Sequence, residues 1–220
     1  RPLAPTKDGV GSSSAGAQQD LAYGHQAVIL AVRDSRFGKD ILMVPISRRN
    51  LLASLLFVPA VLRGENEGVT LFNGRSLDGW KAGDNRHSFR VEDGKIVAGG
   101  PRAHLYYAGR VQNASFKNFE LQAEVIARPG TRSAICFHTQ FQPHGAPASG
   151  FAVEINNSYA GEGDDRGLSR TGSLYGFRNI YKPLVKDDAW FQLHILVRGK
   201  QVEVRVNDTL VVDYIEPDPP

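Results

Sequence analysis

From Val69 onward, apolar and polar residues alternate at period two in segments of five to nine residues, separated by Gly, Asn and Asp. Almost no stretch of useful length carries a helical period. Phe119, Leu121, Ala123 and Val125 fall on one side of an extended segment, and Glu120, Gln122 and Glu124 on the other. Phe191, Leu193, Ile195 and Val197, then Val202, Val204 and Val206, then Leu210 and Val212 repeat the pattern. The short joints Arg198-Gly199-Lys200 and Asn207-Asp208 predict that these last three strands form a meander. Phe89 to Val97 reads as a hairpin around Asp93-Gly94, where Gly accepts the positive φ such a turn needs. Period two puts every second side chain on one face, so these are sheets with one buried and one wet face. Many short antiparallel strands without crossover helices predict an all-β fold, a two-sheet sandwich or jelly roll. Pro217, Pro219 and Pro220 remove ladder donors and end the last strand.

Charge excludes one class of partner. Of 26 Lys+Arg and 23 Asp+Glu, residues 1–66 hold 8 against 5, which leaves 18 against 18 in residues 67–220. A nucleic-acid footprint needs clustered basic charge, and the main body is neutral. The single cysteine, Cys136, can form neither an intrachain disulfide nor a Cys-based metal site alone, and it lacks the signatures of thiol enzymes, so it reads as a small buried filler.

The sequence divides at its one methionine, Met43. Residues 1–42 lack sustained periodicity and read as translated upstream sequence or a disordered extension, in which Val28 to Val32 could pair as a stray strand. Residues 43–66 read as an export signal: Ser47-Arg48-Arg49-Asn50, then the apolar run Leu51 to Leu62, within the usual ~7–15 residues and short of the roughly 20 that span a bilayer. The paired arginines resemble the twin-arginine signature, so the expectation is a periplasmic or extracellular protein with no stable membrane insertion, although Val61 to Gly64 offers no clean cleavage site. Residues 67–220 form the β-sandwich domain.

Two segments carry the polar residues of interest. In 134–141, Ile135, Phe137 and Phe141 share one side and Cys136, His138 and Gln140 the other. In 151–157, Phe151, Val153 and Ile155 face the core, with Ala152, Glu154 and Asn156 opposite. A hairpin pairing of the two puts His138, Gln140, Glu154 and Asn156 on one polar face, the residue types that sugar recognition and proton transfer both use. The same four side chains equally suit a plain solvent face. The loop 158–170 follows, holding Tyr159, Glu162, Asp164 and Asp165; its acids could ligate a hard cation, but the spacing is no EF-hand and solvated charge explains them as well. Tyr175, in the next extended stretch, offers a stacking face.

Several ordered motifs together resemble the 3-keto-disaccharide hydrolase domain family: Val69-Thr70-Leu71-Phe72-Asn73-Gly74-Arg75-Ser76-Leu77-Asp78-Gly79-Trp80, Phe89 to Val97, Phe116 to Leu121, Phe151 to Ile155, Gly172-Ser173-Leu174-Tyr175-Gly176 and Val206 to Thr209. The resemblance implies a concanavalin A-like jelly roll acting on glycosides whose glucose is oxidised at C3. A C3 ketone acidifies the C2 hydrogen; a base removes it, the enolate expels the C1 substituent, and water adds back. On that implication Glu154 is a catalytic acid or base and His138 its partner or a metal ligand. Asn156, Gln140, Tyr159 and Tyr175 are then sugar contacts. The resemblance fixes no cofactor, though a divalent metal ion could polarise the ketone. It also implies departures: His138 stands where relatives carry Arg, and Thr131-Arg132-Ser133-Ala134 replaces Gly-Asn-Ser-Gly. Relatives run on into a final strand or two, so the sandwich domain is expected to be truncated at its C-terminus. Phe72 and Trp80 read as packing residues of an N-terminal strand.

The alternative function is a non-catalytic carbohydrate-binding module, since jelly rolls host lectins as readily as enzymes. A classical endo-glucanase is disfavoured, because Val153-Glu154-Ile155-Asn156 supplies one carboxylate where that chemistry needs two. Aglycone, linkage and oligomeric state are not legible at this level.

Overall fold

The computed structural model describes residues 41–42, 68–160 and 169–218. The export-signal reading of 43–66, and Glu162, Asp164 and Asp165 of the acidic loop, lie outside the described residues, as does the Val28 to Val32 stretch. The strands in sequence order are β1 (Ile41–Leu42), β2 (Trp80–Ala82), β3 (Phe89–Glu92), β4 (Lys95–Ala98), β5 (Leu105–Tyr107), β6 (Phe119–Ile126), β7 (Ser133–Phe137), β8 (Phe151–Ile155), β9 (Trp190–Arg198), β10 (Gln201–Val206) and β11 (Thr209–Ile215). Two 3-10 turns, Arg86–Ser88 and Val111–Ala114, are the helical content among the described residues, and no helix there is long and apolar enough to cross a membrane.

One layer is a five-stranded sheet ordered β1-β6-β9-β10-β11, antiparallel except where β1 runs parallel to β6. The other is built on the antiparallel pair β7-β8, extended by bridges from Val153 to Leu174 and from Leu174 to Arg178. Between them lies the core: Phe119, Leu121 and Val125 of β6 and Leu193, Ile195 and Val197 of β9 meet Ile135, Phe137, Val153, Ile155 and Leu174. This is the two-sheet antiparallel sandwich that the alternation predicts. A second cluster, Leu71, Phe72 and Ile96, gathers Trp80, Leu105 and Tyr107 from the paired strands β2 and β5. Phe72 and Trp80 therefore pack as read. The Trp80 indole N–H donates to the Leu71 carbonyl at 3.3 Å, and its ring meets Tyr107 edge-on at 5.3 Å.

Local signals place most turns correctly. Asp93 and Gly94 both take positive φ, 48° and 76°, between the paired strands β3 and β4. The meander β9-β10-β11 forms with Gly199 at φ 58° and Asn207 at φ 52°. One core expectation fails there. A bulge between Val204 and Arg205 sets Leu210 opposite Arg205, so Leu210 points outward, 43% exposed, and Val212 and Tyr214 take the inner positions. Leu210→Ser is accordingly expected to change unfolding free energy by no more than about 0.5 kcal/mol in urea titration, the range of ordinary surface substitutions. A loss of about 2 kcal/mol or more would restore Leu210 to the core.

Candidate active site

β8 presents Phe151, Val153 and Ile155 to the core and turns Ala152 and Glu154 the other way, as alternation demands. That other side is not wet. Glu154 is 0% exposed and Asn156 1%. The returning segment 169–175 lies along the edge of β8 left free by β7, so both edges of β8 are paired. The Glu154 N–H donates to the Ser173 carbonyl and the Gly172 N–H to the Glu154 carbonyl, both at 2.9 Å, and the Tyr175 N–H donates to the Ala152 carbonyl at 2.9 Å.

Asn156 locks this return rather than facing an open surface. Its amide donates to the Ser169 carbonyl at 2.8 Å, and its side-chain oxygen accepts from the Tyr159 N–H at 2.9 Å and from Arg170 at 3.2 Å. Asn157 adds two more ties, accepting from the Thr171 hydroxyl at 2.6 Å and donating to the Lys186 carbonyl at 3.1 Å. The expectation of Asn156 as an outward sugar contact is therefore corrected to a buried bracket.

Neither carboxylate oxygen of Glu154 has a hydrogen-bond partner among the described residues. Burial raises its pKa from the ordinary carboxylate value to about 7, while the nearby Arg132 guanidinium pulls the other way. Arg132 is 6% exposed and lies over the Tyr159 ring at 5.5 Å. On β7, Ala134 is the register partner of Glu154 and Cys136 that of Ala152, so Cys136 shares this side. Burial, with the Glu154 charge adding, pushes the Cys136 thiol up to about 12, which leaves it neutral and unsuited to nucleophilic work. Alternation from the Val153–Leu174 bridge sets Tyr175 on the same side as Glu154.

His138 does not join this group. β7 ends at Phe137, and His138 takes φ 54°, which breaks the alternation and turns its ring to the other side. There it packs against Phe137, Phe119 and Phe151 at 5.4, 6.0 and 6.2 Å, with Nε2 3.0 Å from the Lys117 carbonyl. Gly150 shapes the break: at φ 105° it sits so close that a Cβ would lie 2.4 Å from the Phe137 carbonyl oxygen, so no other residue fits without a shift. Beyond the end of the strand, Gln140 is distant from Glu154 in register, and Phe141, expected in the core, is 38% exposed against Tyr106 at 5.1 Å. The single polar face of four residues is thus replaced by Glu154, Arg132, Tyr159 and Tyr175.

A cavity of about 720 Å³ opens between β5 and β7. Ala134 and Cys136 belong to its wall, with His104, Tyr106 and Gln140; Glu154 itself does not. Burial also lowers the pKa of His104 and raises that of Tyr106. Among the described residues no group of three or more His, Cys, Asp or Glu is placed to hold a metal ion.

Arg132 is a site residue that the reading of the two polar segments passes over. The signal was available: it has the parity of Ala134 and Cys136, hence the side of Glu154, but it precedes the apolar stretch that marks the strand.

The family of 3-keto-alpha-glucoside-1,2-lyase-like domains matches residues 67–220. The protein belongs to that family. The resemblance read from the ordered motifs is thereby borne out. Among solved structures, this lyase-like domain is similar to one described as "a putative glycosyl hydrolase from Parabacteroides distasonis", with 22% identity, a TM-score of 0.58, and coverage of 67% of this protein and 71% of that one. At that identity the likeness supports the sandwich fold alone. No curated protein matches. Family membership makes this a glycoside-acting domain with a carbohydrate ligand.

Proposed function

We propose that the domain cleaves glycosides whose glucose carries a ketone at C3, with Glu154 as the base that removes the C2 hydrogen. The observation that carries this reading is the state of Glu154: a buried carboxylate, both oxygens without hydrogen-bond partners among the described residues, held near neutrality where a general base works best. A lone carboxylate suits this chemistry, whereas ordinary glycoside hydrolysis uses two.

The proton at C2 passes to Glu154, and the C2–H electron pair moves onto the C3 oxygen as an enolate. Its return breaks the C1–O bond, leaving a C1=C2 double bond beside the ketone, and the departing oxygen takes the proton back from Glu154. Water adding across that double bond completes a net hydrolysis; without it the reaction ends as a lyase. No redox partner is needed. Glu154 has no exposed surface, so the reading requires the sugar to reach it past Ala134 and Cys136 from the cavity, with Tyr159 and Tyr175 as flanking rings. Export by way of residues 43–66 belongs to the same proposal, placing the reaction outside the cytoplasm.

Release of aglycone from a 3-keto-glucoside, compared with the unoxidised glucoside, tests it. Turnover is expected with the ketone and none above background without it, because an unactivated C2 hydrogen is not acidic enough for a carboxylate. Equal cleavage of both would sink the proposal.

A further inference from the structure

We propose that the cavity between β5 and β7 binds an aromatic molecule carrying an anionic substituent, its ring against Phe141 and Tyr106 and its charge at Lys81. β2 and β5 pair with Lys81 opposite Tyr106 and Trp80 opposite Tyr107. Trp80 and Tyr107 pack on the Leu71–Phe72–Ile96 cluster, so alternation sends Lys81 and Tyr106 together to the other face. Phe141, from the loop after β7, meets them there: its ring lies edge-on to Tyr106 at 5.1 Å, with the Lys81 ammonium over it at 3.7 Å. All three belong to the cavity wall. Asp84 fastens the loop. His144 Nδ1 lies 2.7 Å from one of its carboxylate oxygens, and the Gly145 N–H donates to the other at 2.9 Å. Phe141, 38% exposed, is thereby kept beside the cavity instead of packing into the core.

The lining selects the ligand class. Protein interiors hold few voids larger than a water molecule, so about 720 Å³ bounded largely by apolar side chains is no remainder of packing, and it has the size of a small-molecule site. No Asp, Glu, Asn or Arg is among the described residues that line it. A hexose carries a hydroxyl on most of its carbons, and most of these would be buried there unpaired. A flat ring incurs no such cost and gains edge and face contacts with Tyr106 and Phe141. Lys81 is the wall's permanent charge, with no carboxylate among the described lining residues to oppose it, which favours an anion. His104 lines the cavity as well, but burial lowers its pKa and so disfavours a second cation there. The Tyr106 hydroxyl, buried and near the Gln142 backbone, makes no hydrogen bond of normal geometry and is left for a ligand oxygen. The inference does not rest on the keto-glycoside reading, since neither Glu154 nor a ketone enters it. Where both hold, the ring is the aglycone and the sugar lies beyond it, past Ala134 and Cys136.

Calorimetric titration of the full-length protein near neutral pH with 2-naphthoate, 2-naphthol and decanoate tests the site without turnover. 2-Naphthoate is expected to bind saturably, about fivefold tighter than the neutral 2-naphthol and about tenfold tighter than the aliphatic decanoate. Lys81→Met should abolish the advantage of naphthoate over naphthol and leave naphthol binding as it was. Phe141→Ala, at a partly exposed side chain, should weaken both by about tenfold. Ala103→Trp, in the loop before β5, fills the cavity from its wall and should abolish binding, with urea unfolding to confirm that the variant is folded. Naphthoate binding that survives both Phe141→Ala and a folded Ala103→Trp puts the ring elsewhere and overturns the assignment. So does decanoate binding as tight as naphthoate, naphthol binding as tight as naphthoate, or a parent that binds no naphthoate. A parent that binds naphthoate but releases no aglycone from a 3-keto-glucoside supports this site and overturns the keto-glycoside reading alone.

Discussion

Glu154→Gln is expected to reduce turnover of a 3-keto-glucoside by about 10³-fold, within the ~10²–10⁴ that a positioned acid–base group contributes. Glutamine keeps the shape and volume of the side chain, so the sandwich around it has no reason to change, but the amide cannot take a proton from C2. Binding should survive, and KM should move far less than kcat. The pH profile of the parent is the companion test. A base must be ionised to act, and burial holds Glu154 to about 7, so kcat/KM should rise about tenfold per pH unit below that value and level off above it. A Gln variant that keeps most of the turnover removes Glu154 from the chemistry. A parent that binds the sugar without cleaving it points instead to the carbohydrate-binding module.

The same substitution should raise stability at alkaline pH. In the unfolded state Glu154 ionises near the ordinary glutamate value of 4.5, whereas in the fold it stays protonated to about 7. Between those values the unfolded state releases a proton that the folded state retains. Stability therefore falls as pH rises through the window, by about 1.4 kcal/mol per unit and roughly 3 kcal/mol in all. Glutamine has no proton to lose. Urea unfolding of parent and variant at intervals from about pH 4.5 to pH 8 should give a difference that grows across the window, with the Gln variant ahead by about 3 kcal/mol at the upper end. Histidines and other carboxylates titrate in both proteins and cancel in the difference. Parallel curves would mean that Glu154 ionises in the fold as freely as in water. A side chain that weakens the fold at the pH where it works belongs with functional groups rather than with structural ones.

Much of the sandwich was legible because its signals are local. The alternation in 119–126 and 191–198 produced β6 and β9, and Asp93-Gly94 and Gly199 produced turns where a positive φ is required. The misses arise where alternation is interrupted. Leu210 loses its place through a bulge that leaves Val211 of its own strand unpaired against β10, and His138 through a left-handed turn closed by Gly150. The burial of Arg132 was not legible, because nothing in its immediate neighbours marks it.

The family and the face on which Glu154 lies could be read from the residues in order, since strand parity depends on nothing but position along the sequence. Whether that face is wet could not. Residues 169–175 pair with β8 from some twenty positions downstream, Asn156 fastens them there, and Glu154 and Asn156, which look in sequence like members of a solvent face, are buried. Only that burial raises the Glu154 pKa toward neutrality, because desolvation depends on what else the protein packs nearby and not on the residue that is buried.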